Sequence, residues 1–305
     1  MQEETVDNDS VYAEWLQQVR GFFQPHADKP EETPDSVLRA LWFCAAGTPM
    51  SVTRMNGSSL PVIGASGIKV LAELVERKRA GTPLAHLTGR QEFLGLELLA
   101  TPAALIPRKE TEIVGRAAIA ALQEKPGTEN LLAIDVCTGC GNLALAYAHH
   151  EPRARVYAAD LSAEAVELAR RNAEFTGLAR RVEFQAGDLF APFEGRTELL
   201  GNCDLVSCNP PYITSAKVPK MAQEISAHEP RLAFDGGALG ISILTRLFTE
   251  APKFLKPGGT LCFELGLGQG TVLEGRLRRL PWVEKVEAHR DAEGNIRALV
   301  ATRRA

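Results

Sequence analysis

Apolar positions along this chain keep a mostly helical spacing up to about residue 90, and from residue 131 the pattern changes character. In the first part, 10-SVYAEWLQQVRGFF-23, 34-PDSVLRALWFCAAG-47 and 66-SGIKVLAELVERKRAG-81 carry apolar residues three and four apart. That spacing lines one face of a helix, and each run ends at or near Gly or Pro, as helices tend to. The segment 48-TPMSVTRMNGSSLPVIG-64 keeps no period and is assigned no element. In 91-QEFLGLELLATPAALIPR-108 two short apolar runs flank a glycine, which predicts a small hairpin or extended connector, and 110-ETEIVGRAAIAALQ-123 predicts a helix. The expected organisation is a helical domain over 1–90, a hairpin connector over 91–109 and a larger domain over 110–305.

From residue 131 strand-like runs alternate with helical ones. The strands are 131-LLAIDV-136, 154-ARVYAAD-160, 181-RVEFQAGD-188, 203-CDLVSCN-209 and 259-GTLCFEL-265. The helices are 142-NLALAYAHH-150, 163-AEAVELARRNAEFTG-177, 239-LGISILTRLFTEAPKFL-255 and 271-TVLEGRLRRL-280. Such alternation means a mostly parallel sheet with helices on both faces. The last two strands, 283-VEKVEAH-289 and 296-IRALVATR-303, are joined by the turn 291-DAEGN-295 and should run antiparallel. The fold class expected is α/β, a seven-stranded doubly wound (Rossmann-like) domain preceded by a small helical domain.

Composition narrows the partners. The 305 residues are 45% hydrophobic and 24% charged, with a net charge of -4. That balance argues against a protein held to nucleic acid or an anionic membrane by bulk charge. The start MQEETVDNDS has neither the layout of a signal peptide nor that of a mitochondrial presequence, and no apolar run reaches spanning length. A cytoplasmic monomer without membrane or direct nucleic-acid partners is the expectation. The six cysteines lie in apolar segments, as buried thiols do. The pair in 137-CTGC-140 lacks the second pair of ligands that zinc needs, so no metal is expected.

In a doubly wound sheet ligands bind beyond the carboxyl ends of the strands, where the winding reverses. The distinctive residues sit at those ends. After the first strand of this region comes 135-DVCTGCGN-142, where Gly139 and Gly141 permit a sharp turn at a helix N-terminus. The second strand ends at Asp160, 19 residues beyond Gly141, where an acid can accept ribose hydroxyls. The third ends in 187-GDLF-190, with Asp188 placed to read an adenine amino group and Leu189 to cover the ring. Together they point to an adenosine-containing cofactor. A nicotinamide dinucleotide would want the full G-x-G-x-x-G, but Ala144 occupies the third glycine's place. S-adenosylmethionine has no phosphate and needs only the shorter turn.

The fourth strand runs into 207-SCNPPYITS-215, and two prolines stop its ladder. The Asn209 side-chain carbonyl and the Pro210 backbone carbonyl can accept both N–H bonds of a planar amino group, with the Tyr212 ring over its face. An amide or nucleobase nitrogen is a poor nucleophile because its lone pair is delocalised. Two rigid acceptors orient the NH₂ and disfavour its planar resonance form, so geometry and electrostatics replace a strong base.

These residues resemble the protein-glutamine N5-methyltransferases, and within them the branch that methylates the Gly-Gly-Gln glutamine of peptide chain release factors. The resemblance rests on 135-DVCTGCG-141, Asp160, Asp188 and 209-NPPY-212. It extends to 89-GRQEFLGLELLATPAALIPRKETE-112, 228-HEPRLAFDGGALG-240 and 257-PGGTLCFELGLGQG-270, covering the chain from about residue 83. It implies cofactor contacts at Cys137, Thr138, Gly139, Cys140, Gly141, Asp160, Leu189 and Asn209. It also implies a substrate loop of Asn209, Pro210, Pro211 and Tyr212, a release factor as partner, and an N-terminal domain that holds that partner. Lys109 stands where proline is usual. Cys137 replaces a common glycine, as in the sibling branch that modifies a ribosomal protein, whereas 108-RKETE-112 favours the release-factor branch. The stretch 213–238 is a candidate lid or docking surface. An N6-adenine methyltransferase faces the same planar NH₂ problem but would have to grip phosphates, and no basic stretch surrounds the loop. A binding module that has lost turnover is a third alternative.

Overall fold

The computed structural model describes residues 8–25, 28–127, 130–213, 228–234 and 241–305. Of the proposed lid 213–238, residues 214–227 and 235–238 lie outside that set. The chain divides into two compact units, one of Met1–Pro102 with Ala222–His228, the other of Ala103–Met221 with Glu229–Ala305.

In the first unit the three expected helices form as α1 (Asn8–Phe22), α2 (Pro34–Ala45) and α3 (Ala65–Arg79). A fourth, α4 (Leu84–Thr88), is too short to show a period. Helix α2 begins with a reciprocal cap: the Thr33 side chain accepts the Ser36 N–H while Ser36 accepts the Thr33 N–H, and Pro34 occupies the first turn. The connector's apolar runs pair as an antiparallel hairpin, β1 (Arg90–Phe93) and β2 (Leu96–Leu99). Leu38, Leu41, Trp42, Leu71 and Val75 are fully buried in one core. The aperiodic segment 48–64 contains turns and no helix or strand. Its order comes from tertiary contacts: Met55 and Ile63 enter that core, and the Trp42 indole N–H donates to the Pro61 carbonyl at 2.8 Å.

The second unit opens with α5 (Thr111–Gln123) and then builds the sheet. Its strands are β3 (Leu131–Val136), β4 (Ala154–Asp160), β5 (Val182–Ala186), β6 (Cys203–Cys208), β7 (Leu255–Glu264), β8 (Val283–Arg290) and β9 (Ile296–Arg303). They are ordered β5-β4-β3-β6-β7-β9-β8, with β3 to β7 parallel and β9 antiparallel to both β7 and β8. The seven-stranded α/β expectation is met. Every residue of β6 is buried, and its two polar side chains are paired there: Asp204 accepts the Leu132 N–H and the Ser207 hydroxyl donates to Asp135. Helices α6 (Asn142–His150) and α7 (Ala163–Phe175) follow β3 and β4.

One predicted element is shorter than its pattern. The helix expected over 239–255 is α8 (Ser242–Glu250), followed by a 3₁₀ turn, Ala251–Lys253; residues 239–240 lie outside the described set. Pro252 cannot donate to a continuing helix, and Leu255 already begins β7. The last helix, α9, spans Gly270–Leu277. Among the described residues no helix is long and apolar enough to cross a membrane.

The winding reverses at β3, which pairs with β4 on one side and β6 on the other. Val136 and Cys208 are partners in register, so the loops leaving β3 and β6 emerge side by side. That is where a doubly wound sheet opens its ligand crevice.

Candidate functional site

A cavity of about 580 Å³ opens at this reversal, within the ~300–1,000 Å³ usual for small-molecule sites. The loop after β3 forms its base. Cys137, Gly139 and Gly141 hold φ of 57°, 55° and 84°. Two of these left-handed positions carry glycine without strain, whereas Cys137 adopts one with a side chain, at a cost of about 1–3 kcal/mol. Cys137, Thr138, Gly139 and Cys140 line the cavity; Gly141 does not.

Gly141 acts through packing. A Cβ there would lie 2.9 Å from the Phe184 ring and 3.1 Å from the Ala169 methyl, on a backbone that already disfavours one. Gly141→Ala is therefore expected to cost about 2–5 kcal/mol, the sum of left-handed strain and overpacking. Urea unfolding should read this as a lowered midpoint, and cofactor affinity should fall with it.

Two carboxylates shape the loop. Asp160, at the end of β4, accepts the Gly139 N–H at 2.8 Å on one oxygen and the Ser162 N–H at 2.9 Å on the other. Burial pushes its carboxyl above the ordinary value, and those backbone N–H groups pull the other way. It lines the cavity with lone pairs left to accept hydroxyls. Ser162 separately caps α7 by accepting the Ala165 N–H. The second carboxylate, Asp135, stands in the β3 loop motif, where its spacing alone gives it no role. It is wholly buried, and accepts Thr138 Oγ1 and Ser207 Oγ at 2.6 Å each, tying the β3 loop to β6. Burial pushes this carboxyl up to about 7 against the pull of the two hydroxyls.

Beyond β5, Leu189 is buried at φ 49° and lines the cavity, as does Asp188. The Asp188 carboxylate is held by the Arg246 guanidinium of α8 at 2.9 and 2.8 Å. An adenine amino group would therefore share it with Arg246.

The tip of β6 divides the four residues of 209-NPPY-212. Asn209 and Pro211 line the cavity. The Asn209 amide NH₂ donates to Thr111 Oγ1 at 3.3 Å, and among the described residues nothing donates to its Oδ1. Pro210 is buried and is not among the lining residues. Tyr212 turns away from the lining: its hydroxyl donates to Glu264 Oε1 at 3.0 Å and its ring packs on Gly266. Gln269 holds the same loop from below, accepting the Gly266 N–H at 2.9 Å and donating to the Tyr212 carbonyl at 3.5 Å.

Sequence reasoning missed one wall entirely. Ala104, Leu105, Pro107 and Arg108 of the connector, with Thr111, complete the enclosure. Glu229 pins this wall, pairing with the Arg108 guanidinium and accepting the Ile106 N–H at 3.0 Å. The partners are 121 residues apart, in two segments that nothing local in the sequence links to each other. Leu161, half exposed beside Asp160, was also passed over.

The donor set decides what fits. Among the described lining residues Arg108 is the one lysine or arginine, and Glu229 engages it. Asp160, Glu164 and Asp188 face the same space. Such a lining suits no pyrophosphate and accommodates a nucleoside bearing a positive sulfonium. S-adenosylmethionine meets that description: the β3 loop, Asp160, Leu161 and Leu189 would hold it.

Comparison with known proteins agrees. Residues 108–243 match the family model described as methyltransferase small domain. The N-terminal domain of human METTL16, solved in complex with SAH, has a similar fold, with a TM-score of 0.51 at 18% identity over 74% of this chain and 82% of that one. A release factor glutamine methyltransferase of Moorella thermoacetica is 36% identical over 263 residues, 86% of this chain and 88% of the relative. Another of that name, from Bradyrhizobium diazoefficiens, is 37% identical over 267 residues, 88% of each. With this identity sustained over nearly the whole of both relatives, and a methyltransferase fold that forms a nucleoside-sized cavity at its reversal point, the chain belongs to the release factor glutamine methyltransferase family.

Proposed function

We propose that this protein transfers a methyl group from S-adenosylmethionine to the side-chain N5 of a glutamine, that of the Gly-Gly-Gln motif in a peptide chain release factor. The observation that carries this reading is the Asn209 carboxamide. It lines the cofactor cavity at the tip of β6, donates its NH₂ to Thr111 and keeps Oδ1 for another donor.

When bound, the cofactor would supply an electrophilic methyl group on its sulfonium: the amide N–C bond would form in line as the C–S bond breaks, the uncharged thioether would leave, and the nitrogen would give up one proton to solvent. The chain's own residues supply the orientation. Cys137, Thr138, Gly139 and Cys140 form the cradle and Gly141 shapes it; Asp160 takes the ribose, while Leu189 and Asp188 bound the adenine. Asn209 Oδ1 and the Pro210 carbonyl accept the two N–H bonds of the substrate amide. Pro210 and Pro211 stiffen the loop, so little reorganisation is needed as charge develops. Tyr212 serves this loop from behind, through Glu264, more readily than by covering the substrate's face. The N-terminal helical unit, which packs around a core of its own, is left for holding the protein substrate, since the cofactor and the transfer site lie in the other unit. Six free cysteines fit a reducing compartment, the cytoplasm.

Incubation with labelled S-adenosylmethionine tests the substrate. Label is expected in release factor and not in release factor whose Gly-Gly-Gln glutamine is replaced by alanine. Label in a ribosomal protein would move the chain to the sibling specificity, and label in DNA or RNA alone would overturn the reading.

A further inference from the structure

Glu229 pins the connector wall, and the residues that follow it form part of the same enclosure. Pro230, Leu232 and Ala233 line the cofactor cavity, as Ala104, Leu105 and Pro107 of the connector do. One side chain joins the two segments. The Glu229 carboxylate is fully buried; Oε1 takes the Arg108 guanidinium, and Oε2 accepts the Ile106 N–H at 3.0 Å. At its other end the strap Glu229–Phe234 is held by main chain. The Ile213 N–H, next to Tyr212, donates to the Phe234 carbonyl at 3.0 Å, and Phe234 is buried. A single 3₁₀ turn, Arg231–Ala233, lies between these anchors, and its Leu232 is half exposed while lining the cavity.

We infer that Glu229 is a positioning residue that latches this strap to the connector and sets how fast S-adenosylmethionine enters and leaves. The latch presupposes the cofactor in this cavity and is indifferent to which amide takes the methyl group. The two anchors differ in kind. Releasing the Phe234 end means breaking a main-chain bond and exposing a buried ring. Releasing the other end takes the withdrawal of one side chain from one guanidinium and one N–H. A charge-assisted pair is strong while intact, and loss of either partner leaves a buried charge alone. The strap therefore opens at Glu229, and only when both of its contacts break together.

Neither Glu229 nor Ile106 lines the cavity, so the latch stands outside the surface that meets the ligand. A contact that is the same in the free and the loaded protein shifts rates without shifting affinity. Its loss raises the open population of both forms alike, and entry and exit accelerate together.

The test compares Glu229→Gln and Arg108→Lys with the wild-type full chain by surface plasmon resonance. The ligands are S-adenosylmethionine and S-adenosylhomocysteine, its product with an uncharged sulfur. In Glu229→Gln the association and dissociation rates should both rise ~10-fold or more, with Kd within about 3-fold of wild type. Glutamine keeps an acceptor for the Ile106 N–H and loses the charge pair. Arg108→Lys keeps the charge without the planar fork and should give a smaller rise in both rates. The two ligands should respond alike, because the latch does not sense the sulfonium. Trypsin cleavage after Arg231, which reads local opening of the strap, should quicken by the same factor as exchange. The thermal midpoint should fall by no more than about 5 °C. Unchanged rates in Glu229→Gln overturn the inference, and so does a Kd weakened by the whole rise in dissociation, which would make Glu229 a support for binding. A change confined to S-adenosylmethionine also overturns it, since the pair would then act on the sulfonium's charge. If Glu229→Gln does not fold, Arg108→Lys carries the comparison, and wild-type rates there overturn the latch. If neither compound binds the wild-type protein, the cofactor reading fails instead, and an unchanged cleavage rate at Arg231 still overturns the latch.

Discussion

Asn209→Ala is expected to reduce single-turnover methylation by ~10³-fold or more while changing S-adenosylmethionine affinity by less than about 5-fold. The asymmetry follows from where the side chain is tied. Its NH₂ is bonded to Thr111 and to none of the β3-loop groups, and its Oδ1 is uncommitted among the described residues. Alanine removes an acceptor for the reacting nitrogen and leaves the groups around the nucleoside in place. The Pro210 carbonyl, alone, would hold one N–H and leave the amide free to rotate about that bond. Orientation of a reacting group can account for several kcal/mol of barrier, so a large effect on rate is appropriate. Quenched-flow transfer of label, with affinity measured separately by calorimetry, separates the two quantities. A normal rate with a large loss of affinity would make Asn209 a cofactor residue and nothing more.

Asp160→Ala should give the opposite split, with cofactor affinity weakened ~10²-fold and the rate at saturation much less affected. Two costs combine. A ribose hydroxyl loses a charged acceptor, with a hydrogen bond to a charged group contributing about 1.5–3 kcal/mol. The Gly139 and Ser162 N–H groups also lose the carboxylate that holds them at 2.8 and 2.9 Å, so the cradle itself loosens. Asp160→Asn keeps one acceptor oxygen but turns an NH₂ toward one of those donors, so it should recover only part of the affinity. Calorimetric titration with S-adenosylmethionine checks the series. Unchanged affinity in Asp160→Ala would place the ribose elsewhere.

How much of the site was legible depended on whether a residue's role is local. Gly139, Asp160, Leu189 and Asn209 were identifiable because each sits where a strand ends, and strand ends can be read from apolar runs. Asp188 lines the cavity, but its engagement by Arg246, 58 residues away, has no local signal in the sequence. The Tyr212 hydroxyl donates to Glu264, a partner no local pattern reveals, because a buried phenol needs an acceptor and the end of β7 supplies one. Glu264 itself was read as one more residue of a strand. The aperiodic 48–64 segment was unreadable for a related reason: Trp42 and the core it belongs to decide its path.

The amino-acid order by itself determined the class of fold, the order of strands and helices, and the chemical character of each strand end. These follow from side-chain periodicity and backbone restrictions that act over a few neighbouring residues. Only the tertiary structure decided which of those ends share one cavity, which wall the connector closes, and in which direction the hydrogen bonds at Asn209 run. Those outcomes depend on donors and acceptors brought together from positions more than 120 residues apart, as Ile106 and Glu229 are at 123. No local pattern encodes such pairings, since the sheet's register and the burial of each group select them.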